Sequence, residues 1–349
     1  KKLSLDIPLS KYFPGIPNSD SITIGEMLNH HSGLYSFTND SEYAAYHTSP
    51  KTENEMLKIF ESHKPEFNPG EKGAYSNTNY VLLGYIIEKI TGDSYASQLK
   101  KRIIDKIGLD NTYYGHKINI NNDEASSYTM VDDKWVESKE SDMSIQGGSG
   151  GIVSTTGDLV KFTYALFTGN LISPESLKSM LTFKDNFGMG IFELAFYKHK
   201  GYGHTGGIDG FASNMGYFPE DSLAIAFCTN AMNYSMNEIY TALLSSYYNK
   251  PYTPPSFKTV AVPVKQLKKY EGLYYSIVLN TKVTVKLKGK VLTIQPANQS
   301  PFPLSAMSET QFRYDPAGIL IDFTLPKEGA INEFYLKQGR GRFLFTRVL

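Results

Sequence analysis

The chain has 349 residues, with 35 basic side chains against 35 acidic ones, so no bulk field draws it to nucleic acid or to an anionic membrane. Its 41% hydrophobic and 13% aromatic content supports a sizeable core, its length suggests two domains, and its 25 tyrosines suggest amphipathic surfaces or a lined cleft. A single cysteine cannot make an internal disulfide, and no apolar run has the length of a membrane span or the pattern of a signal peptide. A soluble globular protein is expected.

Lys1-Lys2-Leu3-Ser4-Leu5 looks like the middle of a longer protein. Apolar and polar residues alternate from Leu3 to the proline-rich turn Phe13-Pro14-Gly15-Ile16-Pro17. Thr23, with Glu26 three residues on, has the spacing of a capping box and predicts a short helix through Ile24, Met27 and Leu28. His30-His31 lack a third ligand at a metal-site spacing and are read as closing that helix. A second helix is predicted over Glu53 to His63.

Gly70 to Tyr80 is a polar, glycine-rich loop that runs into Leu82, Leu83, Ile86, Ile87 and Ile90 at helical spacing and stops at Gly92. That arrangement sets Tyr75 and Asn77 at a helix N-terminus, where a phenol can act as a base and an amide as a substrate clamp. The alternative is a core aromatic beside a helix cap. The next helix, from Ser94, shows Leu99, Ile103, Ile104 and Ile107 on one face. It contains Ser97-Gln98-Leu99-Lys100, a Ser-x-x-Lys pattern, but Leu99 belongs to the buried stripe and nothing around Ser97 resembles a cleft loop.

Asp110 to Gln146, with the only tryptophan, Trp135, is polar and strand-like. Gly147-Gly148-Ser149-Gly150-Gly151 fits Gly-x-Ser-x-Gly, the signature of a nucleophile elbow. A polar stretch leads in and Ile152-Val153 leads out, which favours close backbone approach over an elbow. Helices are predicted from Thr155 with Asp158, and from Ser173-Pro174-Glu175. Glycine-punctuated strands follow: Gly188 to Phe192, Gly201 to Gly207, Ser213 to Phe218 and Ser222 to Thr229, an antiparallel meander with Cys228 in a buried strand.

A helix over Asn237 to Tyr248 precedes a stiff, proline-rich linker. Beyond it the period is two: Val283, Val285 and Leu287 up to a turn at Lys288-Gly289-Lys290, then Ile319, Ile321, Phe323 and Leu325, then Phe334 and Leu336, then Phe343 and Phe345. A small all-β barrel or sandwich is expected there.

Several segments in one order resemble the serine β-lactamase and penicillin-binding-protein-like hydrolases of the class C type: Leu3 to Pro14, Ile24 to Leu34, Pro69-Gly70-Glu71 with Tyr75 to Tyr80, Gly147 to Thr155, and Gly203-His204-Thr205-Gly206-Gly207. The resemblance implies an α+β fold, an antiparallel sheet flanked by helices over 1–250, a linker over 251–263, and over 264–349 a barrel similar to the lipocalin-like domain appended to some of these hydrolases. It implies an acyl-enzyme mechanism on ester, amide or β-lactam-like substrates, small molecules or peptides, with no cofactor and no metal. Tyr75 and Asn77 match the family's Tyr-x-Asn element. His204-Thr205-Gly206 matches its Lys-Thr-Gly element, with histidine where the family has lysine, and Gly207 would supply an oxyanion-hole N–H.

The resemblance makes Tyr75 and His204 the catalytic pair within this chain, and Asn77, Thr205, Gly206 and Gly207 the substrate-binding residues. It places the acylated serine, in a Ser-x-x-Lys motif, upstream of Lys1. A phenol with an ordinary pKa near ~10 needs a nearby cation to serve as a base. Two other readings stand beside this one: a hydrolase using Ser149 with His204, and a non-catalytic binding protein. The resemblance also suggests a periplasmic or secreted bacterial protein, and nothing in the chain calls for nucleic acid or a transmembrane segment.

Overall fold

The computed structural model describes residues 3–131, 134–252, 254, 258–297, 299–324, 331–338 and 341–348. It divides into two compact units, Lys1–Ala231 and Met232–Leu349. Of the linker expected at 251–263, Thr253, Pro255, Ser256 and Phe257 lie outside the described residues, as does Leu325 of the expected strand pattern.

In the first unit, helix α1 (Ile24–Leu28) starts on a full capping box: the Glu26 N–H donates to Thr23 Oγ1 at 3.2 Å, and the Thr23 N–H donates to Glu26 Oε2 at 2.8 Å. Helix α2 (Glu53–Ser62) repeats the device with Thr52 and Glu55. Helix α3 (Asn77–Thr91) ends at Gly92, whose φ of 72° is the left-handed C-cap conformation. Its Val81, Leu82 and Ile86 are fully buried in a core shared with Met27, Phe37 and Phe60.

Helix α4 (Met143–Gly150), broken by a kink at Gly147 (φ 48°, ψ −134°), begins where the sequence suggested polar strand. Asp142 caps it, Oδ1 accepting the Ser144 N–H at 3.0 Å, and Ile145 joins the same core as α3. The capping and that burial override the weak local pattern. The glycine run does mark close backbone approach: a Cβ on Gly148 would stand 2.4 Å from the Tyr80 carbonyl, and one on Gly84 would stand 3.2 Å from the Gly148 nitrogen. Helix α5 (Thr156–Phe167) is capped by Thr155, as its spacing with Asp158 predicts.

The four-stranded sheet of this unit is antiparallel, in the order β1 (Phe192–Phe196), β2 (His199–Ile208), β3 (Phe211–Phe218), β4 (Leu223–Thr229). Cys228 is exposed, not buried as its apolar run suggested. An apolar run does not reveal that its strand will be an outer one, and β4 is outermost here. Tyr128–Val131 and Lys134–Glu137 pair antiparallel within the polar, strand-like stretch expected around Trp135.

The second unit has a helix, Met236–Tyr247, and a nine-stranded antiparallel sheet. Its strands are β5 (Gly272–Ser276), β6 (Thr281–Lys288), β7 (Val291–Pro296), β8 (Phe302–Pro303), β9 (Ser305–Ala306), β10 (Gln311–Tyr314), β11 (Ile319–Phe323), β12 (Glu333–Gln338) and β13 (Gly341–Arg347). The spatial order runs β8-β7-β6-β5-β13-β12-β11-β10-β9. The two end strands, β8 and β9, are separated in the chain by Leu304 alone, so the sheet must curl until its ends nearly meet, a nearly closed barrel. The inward set matches the expected alternation: Val283, Val285, Ile321, Phe334 and Phe345 are each at most 3% exposed.

Candidate active site

The loop bearing Tyr75 is built against the turn that follows α1. After Leu28 the chain reverses through His30, at φ 60°, and Gly33, at φ 73°, where a Cβ would sit 2.1 Å from the Phe67 carbonyl. Three backbone bonds lace residues 66–74 to this turn: the Glu66 N–H to the Gly33 carbonyl at 2.9 Å, the Gly70 N–H to His31 at 2.8 Å, and the Ala74 N–H to His30 at 2.9 Å.

Tyr75 is therefore held from both sides by one residue. The Ala74 N–H binds the His30 carbonyl, the Ser76 N–H donates to His30 Nδ1 at 3.2 Å, and the His30 ring lies under the Tyr75 ring at 4.4 Å. His30 is 2% exposed. Burial, reinforced by the fields of His204 and His31, pulls its imidazole down to about 4, so it is neutral near pH 7. Neutral, and accepting at Nδ1, it carries its proton on Nε2.

The adjacent histidines turn to different partners. His31 reaches the Asn29 carbonyl at 2.8 Å and Asp185 at 3.1 Å, and Asp185 also accepts the Gly73 N–H at 3.2 Å. Among the described residues no three His, Cys, Asp or Glu side chains stand together as a metal site. Beyond closing the helix, as the sequence predicts, the pair holds the tyrosine loop. Nothing at sequence level singled out His30, because its contacts span 46 residues of chain; a buried histidine next to a helix end was the one available signal.

Asn77 is the first residue of α3 rather than its cap. Its N–H donates to Ser36 Oγ and its Nδ2 to Thr38 Oγ1, both at 3.0 Å, while Thr78 Oγ1 donates to the Tyr35 carbonyl at 2.7 Å. The helix N-terminus is thus satisfied by the 35–38 loop, and Asn77 Oδ1 has no hydrogen-bond partner among the described residues.

His204 stands on β2 with its ring 4.9 Å from Phe192 and 6.2 Å from Tyr75. Its Nδ1 faces the Thr205 carbonyl. A carbonyl only accepts, so Nδ1 holds the proton and Nε2 keeps a lone pair. Burial lowers its pKa, against an opposing pull from that carbonyl, so this histidine is also neutral near pH 7. Tyr75 is 41% exposed, and partial burial pushes its phenol above the ordinary value. None of the described residues lowers it.

The two elements thus share one aromatic cluster: Tyr75 lies against both His30 and His204, and Phe192 stacks near Tyr75 at 6.4 Å. Strand β1 pairs with β2 only as far as Phe192 opposite Gly203. Residues 204–208 pair with β3 alone among the described residues, leaving one edge without a strand neighbour. A Cβ on Gly206 would meet Ser213 Oγ at 2.4 Å and make that hydroxyl turn away, whereas nothing lies within 4 Å of one on Gly207.

Ser149 is not brought into this cluster by any bond or ring contact. Its Oγ donates to the Gln146 carbonyl at 2.7 Å, across the kink that breaks α4 at Gly147, and a short strand, Ile152–Val153, follows. Helix then strand is the reverse of an elbow. In the Ser97-x-x-Lys100 pattern, Lys100 pairs with Asp105 and Ser97 bonds to Ser94, both at the surface.

Comparison with known proteins gives the same family from several directions. A penicillin-binding protein of Bacillus subtilis (strain 168) is 25% identical over 362 residues, covering 94% of this chain and 78% of the relative. The crystal structure of D-amino acid amidase from Ochrobactrum anthropi SV3, complexed with L-phenylalanine amide, superimposes with a TM-score of 0.62 at 29% identity, over 71% of this chain and 77% of that one. The octameric penicillin-binding protein homologue from Pyrococcus abyssi gives 0.61 at 25% identity, over 99% of this chain and 83% of that one. Residues 1–246 match the family profile described as Beta-lactamase, and the chain belongs to that family.

Proposed function

We propose that this protein is a serine hydrolase that forms an acyl-enzyme on amide or ester substrates. The observation that carries the reading is the meeting of Tyr75 and His204 at an aromatic cluster beside the unpaired edge of residues 204–208. An unpaired strand edge offers backbone donors and acceptors to an extended acyl or peptide group. Asn77 orients that group, Thr205 and Gly206 line it, and the Gly207 N–H serves the oxyanion.

Tyr75 takes the proton of the attacking serine. The cation it needs, and the serine itself, come from a Ser-x-x-Lys segment upstream of Lys1; this fits a phenol that no described residue pulls down. A neutral His204 in the place of a lysine removes a fixed charge from the leaving-group side, which favours substrates without an essential carboxylate, such as amino acid amides and esters. The amidase similarity supports that class. On this reading residues 1–250 are the hydrolase domain, 251–263 a linker and 264–349 an appended barrel, in a protein that works outside the cytoplasm of a bacterium.

The test is fluorophosphonate labelling of the natural full-length protein followed by peptide mapping. Label upstream of Lys1 is expected. Label on Ser149 would transfer the mechanism to that serine, and a folded sample that takes no label would make this a binding protein.

A further inference from the structure

The hairpin joining β5 and β6 pairs Ser276 with Thr281, leaving the four-residue loop Ile277-Val278-Leu279-Asn280. Such loops favour Gly, Asn, Asp and Ser, and a β-branched residue is among the poorest choices for a turn. Here Ile277 is 82% exposed, Val278 75% and Leu279 41%. The turn does not need these side chains: Asn280 takes the left-handed position at φ 46°, and Tyr275 Oη donates to Asn280 Oδ1 at 2.8 Å. Nor does the core, which Tyr274, Val283 and Val285 close beneath them. Three consecutive exposed aliphatic residues at one tip call for a partner.

Charge indicates which one. The neutrality of the whole chain hides an asymmetry. Residues 1–231 carry 20 basic and 28 acidic side chains, a net charge of −8, and residues 232–349 carry 15 and 7, a net charge of +8. Directly after the tip, Lys282, Lys286 and Lys288 stand exposed along the outer face of β6, opposite to the inward Val283 and Val285, and no described acidic residue pairs with them. A soluble polyanion would engage the lysines and leave the tip in water. A bilayer with anionic headgroups uses both features by lying along β6: the aliphatic tip enters below its headgroups, and the lysine row, about 20 Å from Lys282 to Lys288, rests on them.

We propose that the second unit docks peripherally on anionic lipid surfaces through the Ile277-Val278-Leu279 tip and the Lys282, Lys286 and Lys288 row. The test is co-sedimentation of the whole chain with vesicles of phosphatidylcholine alone and vesicles in which about one third is phosphatidylglycerol. Binding is expected to the second kind and to weaken with salt. The double variant I277D/V278D should lose at least about tenfold in partitioning with unchanged thermal unfolding, because the replaced side chains bury nothing. K282Q/K286Q/K288Q should lose about fivefold per lysine and most of the salt dependence. Absence of binding at low salt, equal binding to both vesicles, or a tip variant that binds like the parent would overturn the proposal. Tip-independent capture of poly(glycerol phosphate) without vesicle binding, or tip-dependent dimers in solution, would do the same.

Discussion

Tyr75 of the first unit and two tyrosines of the second use the same side chain in opposite ways. In the barrel, Tyr270 and Tyr274 are fully buried among Phe312, Phe323 and Phe334, and each phenol is spent on structure: Tyr270 Oη donates to the Glu309 carbonyl at 2.6 Å, and Tyr274 Oη to the Tyr270 carbonyl at 2.9 Å. In the first unit, Tyr75 keeps 41% of its surface exposed, and its hydroxyl bonds to none of the described residues, although the ring is gripped by the buried His30. A tyrosine whose ring is fixed and whose hydroxyl is left free fits the proposed role toward a reactant. One whose ring and hydroxyl are both buried and bonded is organised for stability.

That contrast can be broken by experiment. The largest expected effect is on the structural side: Phe334→Ala opens a cavity among Tyr274, Phe323 and Phe345 and should cost about 3–5 kcal/mol in denaturant unfolding of the second unit, with acylation unchanged. Next is pH. His30 is protonated in the unfolded chain below its ordinary pKa near 6.5 but resists protonation in the fold down to about 4. Stability is therefore full above that ordinary value and falls as pH drops through the interval, by on the order of 3 kcal/mol. His30→Gln should flatten this part of the stability-versus-pH curve, and an unchanged curve would remove His30 as its source.

On the functional side, Tyr75→Phe should slow probe acylation of the full-length protein at least about 100-fold, roughly 2.7 kcal/mol, while the melting temperature stays put. A variant that melts early or turns over normally would erase the contrast. The smallest effect is expected for Tyr274→Phe, which keeps the ring and leaves the Tyr270 carbonyl without its donor, about 1 kcal/mol of barrel stability and no change in rate.

Much of the architecture was legible because its signals are local. The Thr23 and Glu26 capping box, the Gly92 stop, the Thr155 and Asp158 start and the two-residue period of the barrel strands each lie within a few residues of chain, and each appears where the sequence predicts it. Tyr75, Asn77 and the His204 segment are candidates by motif order. The misses share one physical cause, dependence on distant partners. Helix α4 forms where a polar strand was expected because Ile145 reaches the core of α3, and Cys228 is exposed because β4 has a strand on only one side.

By itself the sequence determined the element types other than α4, the order of the family segments and the candidates Tyr75, Asn77 and His204, since propensity, capping and periodicity act over short stretches of chain. Only the tertiary structure decided that His30, 45 residues before Tyr75, lies beneath its ring, that Asn77 is anchored by Ser36 and Thr38, and that residues 204–208 keep an open edge. Those outcomes depend on which surfaces of the folded chain meet, and burial, not local pattern, selects them.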